Sequence, residues 1–282
     1  MTADGAAALS DAGWRCAVLG SPISHSLSPA LHRAAYAELG LTGWTYDRFD
    51  VTEDQLADFV AACNDSWRGL SLTMPLKSAA LELGHVDSLA RFAGSANTLI
   101  FDGLRRRLYN TDIGGLVWAV RRGVAGPPLR VTILGSGATA RSAVLSAEQL
   151  GARNLTIMAR TLSKTEQLEA LGAALQLDVQ VLPWGADLPA ADLLISTVTS
   201  AAVDPIAAVI ARSAPIVFDV SYQPWPTALA TAAQQAGASV INGLDLLVGQ
   251  ALGQIELMTG RTVSADVLYA AGRVALAART LT

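Results

Sequence analysis

Apolar residues in the first 110 positions fall into short runs, and stretches with helical spacing separate these runs. The runs with the length and alternation of strands are 15–20, 44–51 and 67–72. Helical spacing is found at 28–39 and 53–63. Further along, a turn at Asp102-Gly103 between two apolar runs predicts a hairpin. This alternation predicts an α/β domain with a mostly parallel sheet.

A second series of alternating predicted strands and helices follows Gly126-Pro-Pro128. A glycine–proline sequence of this kind is typical of the link between two domains. Its predicted strands are 129–134, 154–158, 176–182, 192–197, 215–220 and 239–242. Predicted helices occupy 113–124, 243–259 and 263–280, and another begins within 221–227. Residues 1–13, rich in alanine and small polar residues, are predicted to form a disordered leader. A chain of 282 residues has room for two domains.

Composition narrows the class of protein. The chain is 51% hydrophobic and 16% charged, which indicates a packed globular protein. A net charge of -4 gives no sign of a nucleic-acid partner. Two cysteines fit neither a disulfide framework nor a metal site, so we expect a cytoplasmic protein. The sequence has neither a signal peptide nor an apolar run of membrane-spanning length, so we expect no membrane association.

Lysine is rare in this chain, and one lysine stands out. The 20 basic residues comprise 18 arginines and two lysines, Lys77 and Lys164. A guanidinium keeps its proton in proteins, whereas a partly buried ammonium gives its proton up more readily. Lys77 ends the apolar stretch Ser71-Leu-Thr-Met-Pro-Leu-Lys77 and is therefore a candidate proton donor or acceptor. The alternative is a surface lysine on a helix opened by Pro75.

Polar side chains recur at the predicted strand ends of the first domain. They are Ser26, Ser28, Thr73, Lys77, Asn97 and Asp112. Taken singly, these residues are unremarkable. For example, Ser28 before Pro29 suits a helix start, Asn97 a turn and Asp112 a helix cap. However, ligands bind at the carboxyl ends of strands in such sheets. Hydroxyls crowded before a helix suit a polyol or a carboxylate.

The second domain carries a dinucleotide-binding pattern. Gly135-Ser-Gly-Ala-Thr-Ala140 is a GxGxxA sequence between a predicted strand and a predicted helix, where its backbone suits a pyrophosphate. A glycine-rich turn without a ligand is the alternative. After the next strand, Arg160, Thr161 and Lys164 stand where NAD-binding folds usually have an acidic residue. Two cations and a hydroxyl favour the 2′-phosphate of NADP, unless both cations are simply solvated.

Together these motifs resemble the shikimate dehydrogenase family from about Cys16 to the C-terminus. The strings that carry the resemblance are GSPISHSLSP, SLTMPLK, GSANTL, NTDIGG, GSGATAR, YQPWPT and NGLDLLVGQ. The resemblance implies an α/β two-domain fold, with a Rossmann NADP-binding domain at 113–243 inserted into a substrate-binding and catalytic domain at 14–112 and 244–282. The shikimate-binding positions it implies are Ser26, Ser28, Thr73, Lys77, Asn97, Asp112, Tyr222 and Gln250. The cofactor-binding positions it implies are Gly135, Ser136, Gly137, Ala138, Thr139, Arg160, Thr161, Lys164, Val220 and Gly243.

The resemblance implies reversible, NADP-dependent reduction of 3-dehydroshikimate to shikimate, in the biosynthesis of chorismate and the aromatic amino acids. Lys77 is expected to act as the acid/base with Asp112 as its partner, without a metal. The expected partner is the small-molecule substrate, and the expected state is a monomer or homodimer. Two alternatives stay open: a quinate/shikimate dehydrogenase, and a non-catalytic sensor that binds shikimate.

Four positions depart from the family's usual residues. Ser71 stands where the family commonly has Asn, and Ala138 where it has Gly. Ala159 replaces Asn and Val220 replaces Met, which affects the expected contacts with adenine and nicotinamide. The pair Lys77 and Asp112 is intact.

Overall fold

The computed structural model describes residues 13–123 and 126–280, so the predicted leader lies outside it except for Gly13. The chain divides into two compact units, and each unit has a six-stranded sheet in its described residues. Unit 1 is drawn from Met1–Thr111 and Gln250–Thr282, and unit 2 is Asp112–Gly249. The predicted α/β class with mostly parallel strands is confirmed.

Unit 1 contains the alternating elements of the first part of the chain. Its strands are β1 (Arg15–Gly20), β2 (Thr45–Asp50), β3 (Trp67–Leu72), β4 (His85–Val86), β5 (Thr98–Asp102) and β6 (Arg105–Tyr109). Its first helices are α1 (Ser28–Glu38), α2 (Leu56–Ala61) and α3 (Ser88–Ala93), with a 3-10 helix at Ala79–Leu83. The sheet order is β2-β1-β3-β5-β6-β4. Strand β1 is parallel to β2 and β3, whereas β5 is antiparallel to β3 and β6.

Strand β1 lies inside this sheet and is covered on both faces. Ala17 and Leu19 pack into one buried cluster, while Cys16 and Val18 pack into another. Alternate side chains of a strand point to opposite faces, so an uninterrupted apolar run fits a strand between two layers. The end of β1 is thereby held rigidly, and so is the start of the segment that follows it.

Unit 2 is a fully parallel sheet flanked by helices. Its strands are β7 (Arg130–Leu134), β8 (Asn154–Ala159), β9 (Asp178–Pro183), β10 (Leu193–Ser196), β11 (Ile216–Asp219) and β12 (Ser239–Ile241). Its helices are α4 (Thr111–Gly123, from Asp112 onward), α5 (Ala138–Gln149), α6 (Glu166–Ala174), α7 (Ser200–Val203), α8 (Ala207–Ile210) and α9 (Ala228–Gln235). The strand order β9-β8-β7-β10-β11-β12 is the 3-2-1-4-5-6 order of dinucleotide-binding folds.

Two helices complete the described chain. They are α10 (Gly243–Thr259), which joins unit 1 from Gln250 onward, and α11 (Ala265–Thr280). Helix α11 packs along α1. No helix within the described ranges is long and apolar enough to cross a membrane.

Two local predictions were wrong or incomplete, and one alternative is excluded. The alternative for Lys77 required a helix opened by Pro75, but the next helical residues are the 3-10 turn at Ala79–Leu83. Helix α9 begins at Ala228 rather than within 221–227, where prolines remove backbone donors; Thr227 caps it by accepting the N–H of Ala230. The two-residue strand β4 was missed because it is too short to have a periodic pattern.

Candidate active site

The two predicted carboxylate-binding serines lie in the segment between β1 and α1. Ser28 is the first residue of α1 and is only 6% exposed. The hydroxyl oxygen of Ser26 accepts the N–H of Ser28 at 3.3 Å, which leaves the Ser26 O–H to donate to a ligand. Ser28 is thus fixed at the start of α1, and this bond holds Ser26 against it.

Backbone hydrogen bonds bring the lysine segment to the same edge of the sheet. The N–H of Thr73, directly after β3, donates to Leu19 O at 3.0 Å. The carbonyl of Lys77 accepts the N–H of Ala96 at 2.7 Å. Lys77 is half-buried and begins no helix. Its backbone is therefore fixed between the end of β1 and the residues that precede β5.

Asn97 lies at this edge because β5 runs antiparallel to β3, so the start of β5 meets the end of β3. It is 2% exposed. Its Oδ1 accepts the N–H of Thr111 at 2.8 Å and the hydroxyl of Thr98 at 2.8 Å. Its Nδ2 lies 3.5 Å from Oε1 of Gln250 on α10. Its Nδ2 also donates to Thr111 Oγ1 at 2.9 Å. Since the Asn97 oxygen already has two donors, a hydrogen bond from Asn97 to a ligand would use the Nδ2 hydrogen that faces Gln250.

A buried polar network extends from these residues into the interior of unit 1. The hydroxyl of Tyr46 donates to Ser71 Oγ at 2.6 Å, and Ser71 donates to Gln254 Oε1 at 2.9 Å. Gln254 Nε2 in turn donates to Asn97 O and to Thr98 Oγ1, each at 3.1 Å. Ser71, where the family commonly has Asn, thus links Tyr46 to Gln254.

His32 completes the network. Its Nε2 lies 3.3 Å from Gln254 Oε1, and its ring stacks on Tyr46 with centroids 4.0 Å apart. Because the amide nitrogen of Gln254 already donates to Asn97 and Thr98, its oxygen accepts, so His32 Nε2 carries the proton. The Nδ1 of His32 is buried and has no hydrogen-bond partner among the described residues. Burial lowers the pKa of His32 from 6.5 to about 3, and the bond to Gln254 offsets this only in part.

In unit 2, the GxGxxA segment forms the turn from β7 into α5. Gly135 has a φ of +113°, and a Cβ there would come within 2.6 Å of Thr197 Oγ1. Gly137 caps α5 in an extended conformation and has no side chain to accept the first N–H groups of the helix. These N–H groups and the helix dipole suit a phosphate. Ser136, Ala138 and Thr139 are partly exposed around this turn, so the residues fit a pyrophosphate.

The predicted phosphate-binding cations follow the neighbouring strand. Arg160 and Thr161 come directly after β8, and Lys164 ends the 3-10 helix Leu162–Lys164. All three are exposed. Strand β8 is parallel to β7, so these residues and the glycine turn lie at one edge of the sheet. The arrangement fits a 2′-phosphate.

Val220 and Gly243 come together at the same edge, after β11 and β12. The N–H of Gly243 donates to Ser221 O at 3.0 Å, and a Cβ on Gly243 would collide with Val220 O. Buried Asp219 holds the segment that contains Tyr222, since it accepts the hydroxyl of Thr227 at 2.7 Å and the N–H of Ser221 at 3.0 Å.

The structure therefore gathers the predicted site residues into two groups. The group in unit 1 comprises Ser26, Ser28, Thr73, Lys77, Asn97 and Gln250. The group in unit 2 comprises the cofactor positions with Tyr222 and Asp112. Asp112 is in the first turn of α4 and is 5% exposed.

The network of Tyr46, Ser71, Gln254 and His32 was not predicted from the sequence. Gln254 stands one helical turn after Gln250 in the same apolar run, so the signal that singled out Gln250 also applied to Gln254. His32 likewise lies one turn after Ser28. Tyr46 had no such signal, because an aromatic residue in a strand is usually part of the core.

Unit 2 has the strand order and the glycine turn of dinucleotide-binding folds, and unit 1 has a lysine at the same sheet edge as hydroxyl and amide residues. These features together are typical of nucleotide-dependent α/β dehydrogenases. A sequence model described as the shikimate dehydrogenase substrate binding domain matches residues 18–99. The NADP⁺ shikimate dehydrogenase of Methanothermobacter thermautotrophicus is 32% identical, over 89% of this chain and 93% of that protein.

Solved structures give the same result. The shikimate dehydrogenase of Mycobacterium tuberculosis has 37% identity and a TM-score of 0.85, covering 93% of this chain and 99% of that one. The shikimate 5-dehydrogenase of Thermus thermophilus, in complex with NADP(H) and shikimate, has 28% identity and a TM-score of 0.79, covering 93% and 99%. The chain belongs to the shikimate dehydrogenase family.

Proposed function

We propose that this protein catalyses the reversible, NADP-dependent reduction of 3-dehydroshikimate to shikimate. As a member of its family it is an oxidoreductase that uses NADP. The observation that carries the proposal is the group in unit 1, where half-buried Lys77 is at the same edge of the sheet as residues with hydroxyl and amide side chains. We assign 14–112 and 244–282 to the substrate domain and 113–243 to the NADP domain.

In this proposal the polar groups of unit 1 hold the substrate. Ser26 and Ser28 donate to its carboxylate, and Tyr222 assists them. Asn97 donates through Nδ2 to a ring hydroxyl oxygen, and the same hydroxyl donates to Gln250 Oε1. The support for this polarity is that Asn97 Oδ1 already accepts from Thr111 and Thr98. Thr73 contributes a further hydroxyl beside Lys77.

Lys77 performs the proton chemistry. An alkoxide develops at the substrate oxygen during reduction, and an ammonium group there both stabilises the negative charge and donates the proton. In the oxidation direction the neutral amine takes the same proton. Asp112 is assigned the role of the acidic partner of Lys77 in this chemistry. NADPH, when bound, supplies the hydride.

The cofactor is held by unit 2. The glycine turn Gly135–Gly137 and the first N–H groups of α5 bind the pyrophosphate, with Ser136, Ala138 and Thr139 lining it. Arg160, Thr161 and Lys164 bind the 2′-phosphate. Val220 and Gly243 lie against the nicotinamide end. The reaction belongs to the biosynthesis of chorismate and the aromatic amino acids.

The test is a set of initial rates with each pair of shikimate or quinate and NADP or NAD. We expect shikimate with NADP to be the fastest pair, at least about a hundredfold faster than shikimate with NAD at limiting cofactor. The reason is that NAD lacks the 2′-phosphate and so loses two charge-assisted hydrogen bonds, those to Arg160 and Lys164. Preference for quinate and NAD would instead establish the quinate alternative. Shikimate binding without reduction of either cofactor would establish the sensor.

A further inference from the structure

Two arginine side chains donate hydrogen bonds to the backbone of the segment that carries Ser26 and Ser28. In the last turn of α11, Arg279 donates from Nη1 to His25 O at 2.9 Å and from Nη2 to Ser26 O at 3.1 Å. On β2, Arg48 donates from Nη1 to Ser24 O at 2.7 Å. Three consecutive carbonyls before Ser28 therefore accept hydrogen bonds from guanidinium groups.

These bonds have an electrostatic and a geometric consequence. Carbonyl oxygens carry partial negative charge and would repel a carboxylate bound on the neighbouring hydroxyls, and the two guanidinium groups on the three carbonyls offset that repulsion. The Nη1 and Nη2 groups of Arg279 form a fork that binds the carbonyls of His25 and Ser26. This fork fixes two successive peptide planes and therefore the direction of the Ser26 side chain. A lysine cannot reproduce this fork, because its donors share one nitrogen atom.

We propose that Arg279 is a positioning residue for substrate binding: it acts through the segment Ser24–Ser28 to orient the serine hydroxyls toward the carboxylate of the substrate. The proposal rests on the proposed function for the identity of the ligand. The contacts of Arg279 do not depend on that function.

Helix α11 offers a matched control. Arg273 lies two turns earlier on the same helix, with its guanidinium 5.8 Å from the ring of Tyr269. Arg273→Gln removes the same charge from the same helix without touching the serine segment. Arg279→Lys keeps the charge and loses the fork.

The experiment compares Arg279→Gln, Arg279→Lys and Arg273→Gln in the full-length protein. For Arg279→Gln we expect the KM for shikimate to rise about tenfold or more, with kcat and the KM for NADP within about twofold of the original values. The inhibition constant of shikimate methyl ester, which lacks the carboxylate charge, should change by less than about twofold. Arg273→Gln should match the unmutated protein, and Arg279→Lys should recover less than half of the loss.

Amide hydrogen exchange provides a readout that does not need activity. Exchange in Ser24–Ser28 should speed up in Arg279→Gln and not in Arg273→Gln, in the absence of any ligand. Equal losses for shikimate and its methyl ester would mean a general structural role and would overturn the proposal, as would unchanged exchange in Ser24–Ser28. If the unmutated protein does not oxidise shikimate, the proposed function fails, and the exchange result still decides whether Arg279 holds the segment.

Discussion

Lys77 is the residue on which the proposed chemistry depends. Lys77→Ala removes both the proton donor and the positive charge, so we expect kcat to fall about 10²–10⁴-fold. Shikimate binding, measured by calorimetry, should remain detectable because Ser26, Ser28 and Asn97 are untouched. Lys77→Arg should not restore turnover, since a guanidinium does not release its proton at working pH. Near-normal turnover in either variant would remove Lys77 from the mechanism.

Arg160 tests the choice of cofactor. We expect Arg160→Ala to cost most of the preference for NADP and to leave the use of NAD nearly unchanged, because only NADP carries the 2′-phosphate. Each charge-assisted bond contributes about 1.5–3 kcal/mol, and added salt should weaken this exposed contact. The measurement is kcat/KM for both cofactors at low and high salt. Arg153→Ala, which removes an exposed arginine just before β8 at the opposite end of the strand, is the matched control. An equal loss with NAD would contradict the assignment.

His32 predicts a specific pH dependence of stability. Burial lowers its pKa from 6.5 to about 3 in the folded protein. Between these values the unfolded chain binds a proton that the folded chain does not, so folding becomes less favourable as the pH falls, by up to about 1.4 kcal/mol per pH unit. Above pH 6.5 both states are neutral at this residue, and the effect vanishes.

Urea unfolding from pH 8 to pH 4 measures this slope. His32→Gln, which has no titrating group, should lose stability less steeply as the pH falls than the unmutated protein does. His85→Gln removes an exposed histidine in β4 and should keep the original slope. Identical slopes for all three proteins would show that His32 is protonated without cost in the folded state.

At the scale of the elements, α10 connects the site to the core of unit 1. Gln254→Leu leaves the Ser71 hydroxyl and His32 Nε2 without their acceptor. Each of these two buried groups, once left without a hydrogen-bond partner, costs about 1–3 kcal/mol, so we expect the free energy of unfolding to fall by about 2–6 kcal/mol. Glu256→Leu, on an exposed position of the same helix, should change it by less than about 0.5 kcal/mol. A loss of less than about 1 kcal/mol in Gln254→Leu would mean that the network does not stabilise unit 1.

The elements also show where sequence reasoning works and where it stops. Strand β1 and helix α10 were predictable because long apolar runs and glycine boundaries carry a strong local signal. The short strand β4 and the contact of Arg279 with the serine segment were not predictable. They depend on residues that are distant in sequence and meet only in the fold, and a single arginine near the end of a helix has no distinctive pattern.

At the scale of the whole molecule, a dinucleotide-binding domain was expected from the GxGxxA turn and from the family resemblance, and the sheet of unit 2 has the strand order typical of such domains. The residues expected to bind substrate and cofactor were named from matching motifs. Their roles remain predictions until ligands and variants are measured.

The proposed function depends on direct transfer of a hydride between the substrate and NADP. Shikimate that carries deuterium on the carbon whose hydroxyl becomes the ketone is oxidised, and the cofactor is analysed by mass spectrometry. We expect the NADPH formed to contain the deuterium and the solvent to contain none. Unlabelled NADPH, or no reduction of NADP at all, would contradict it.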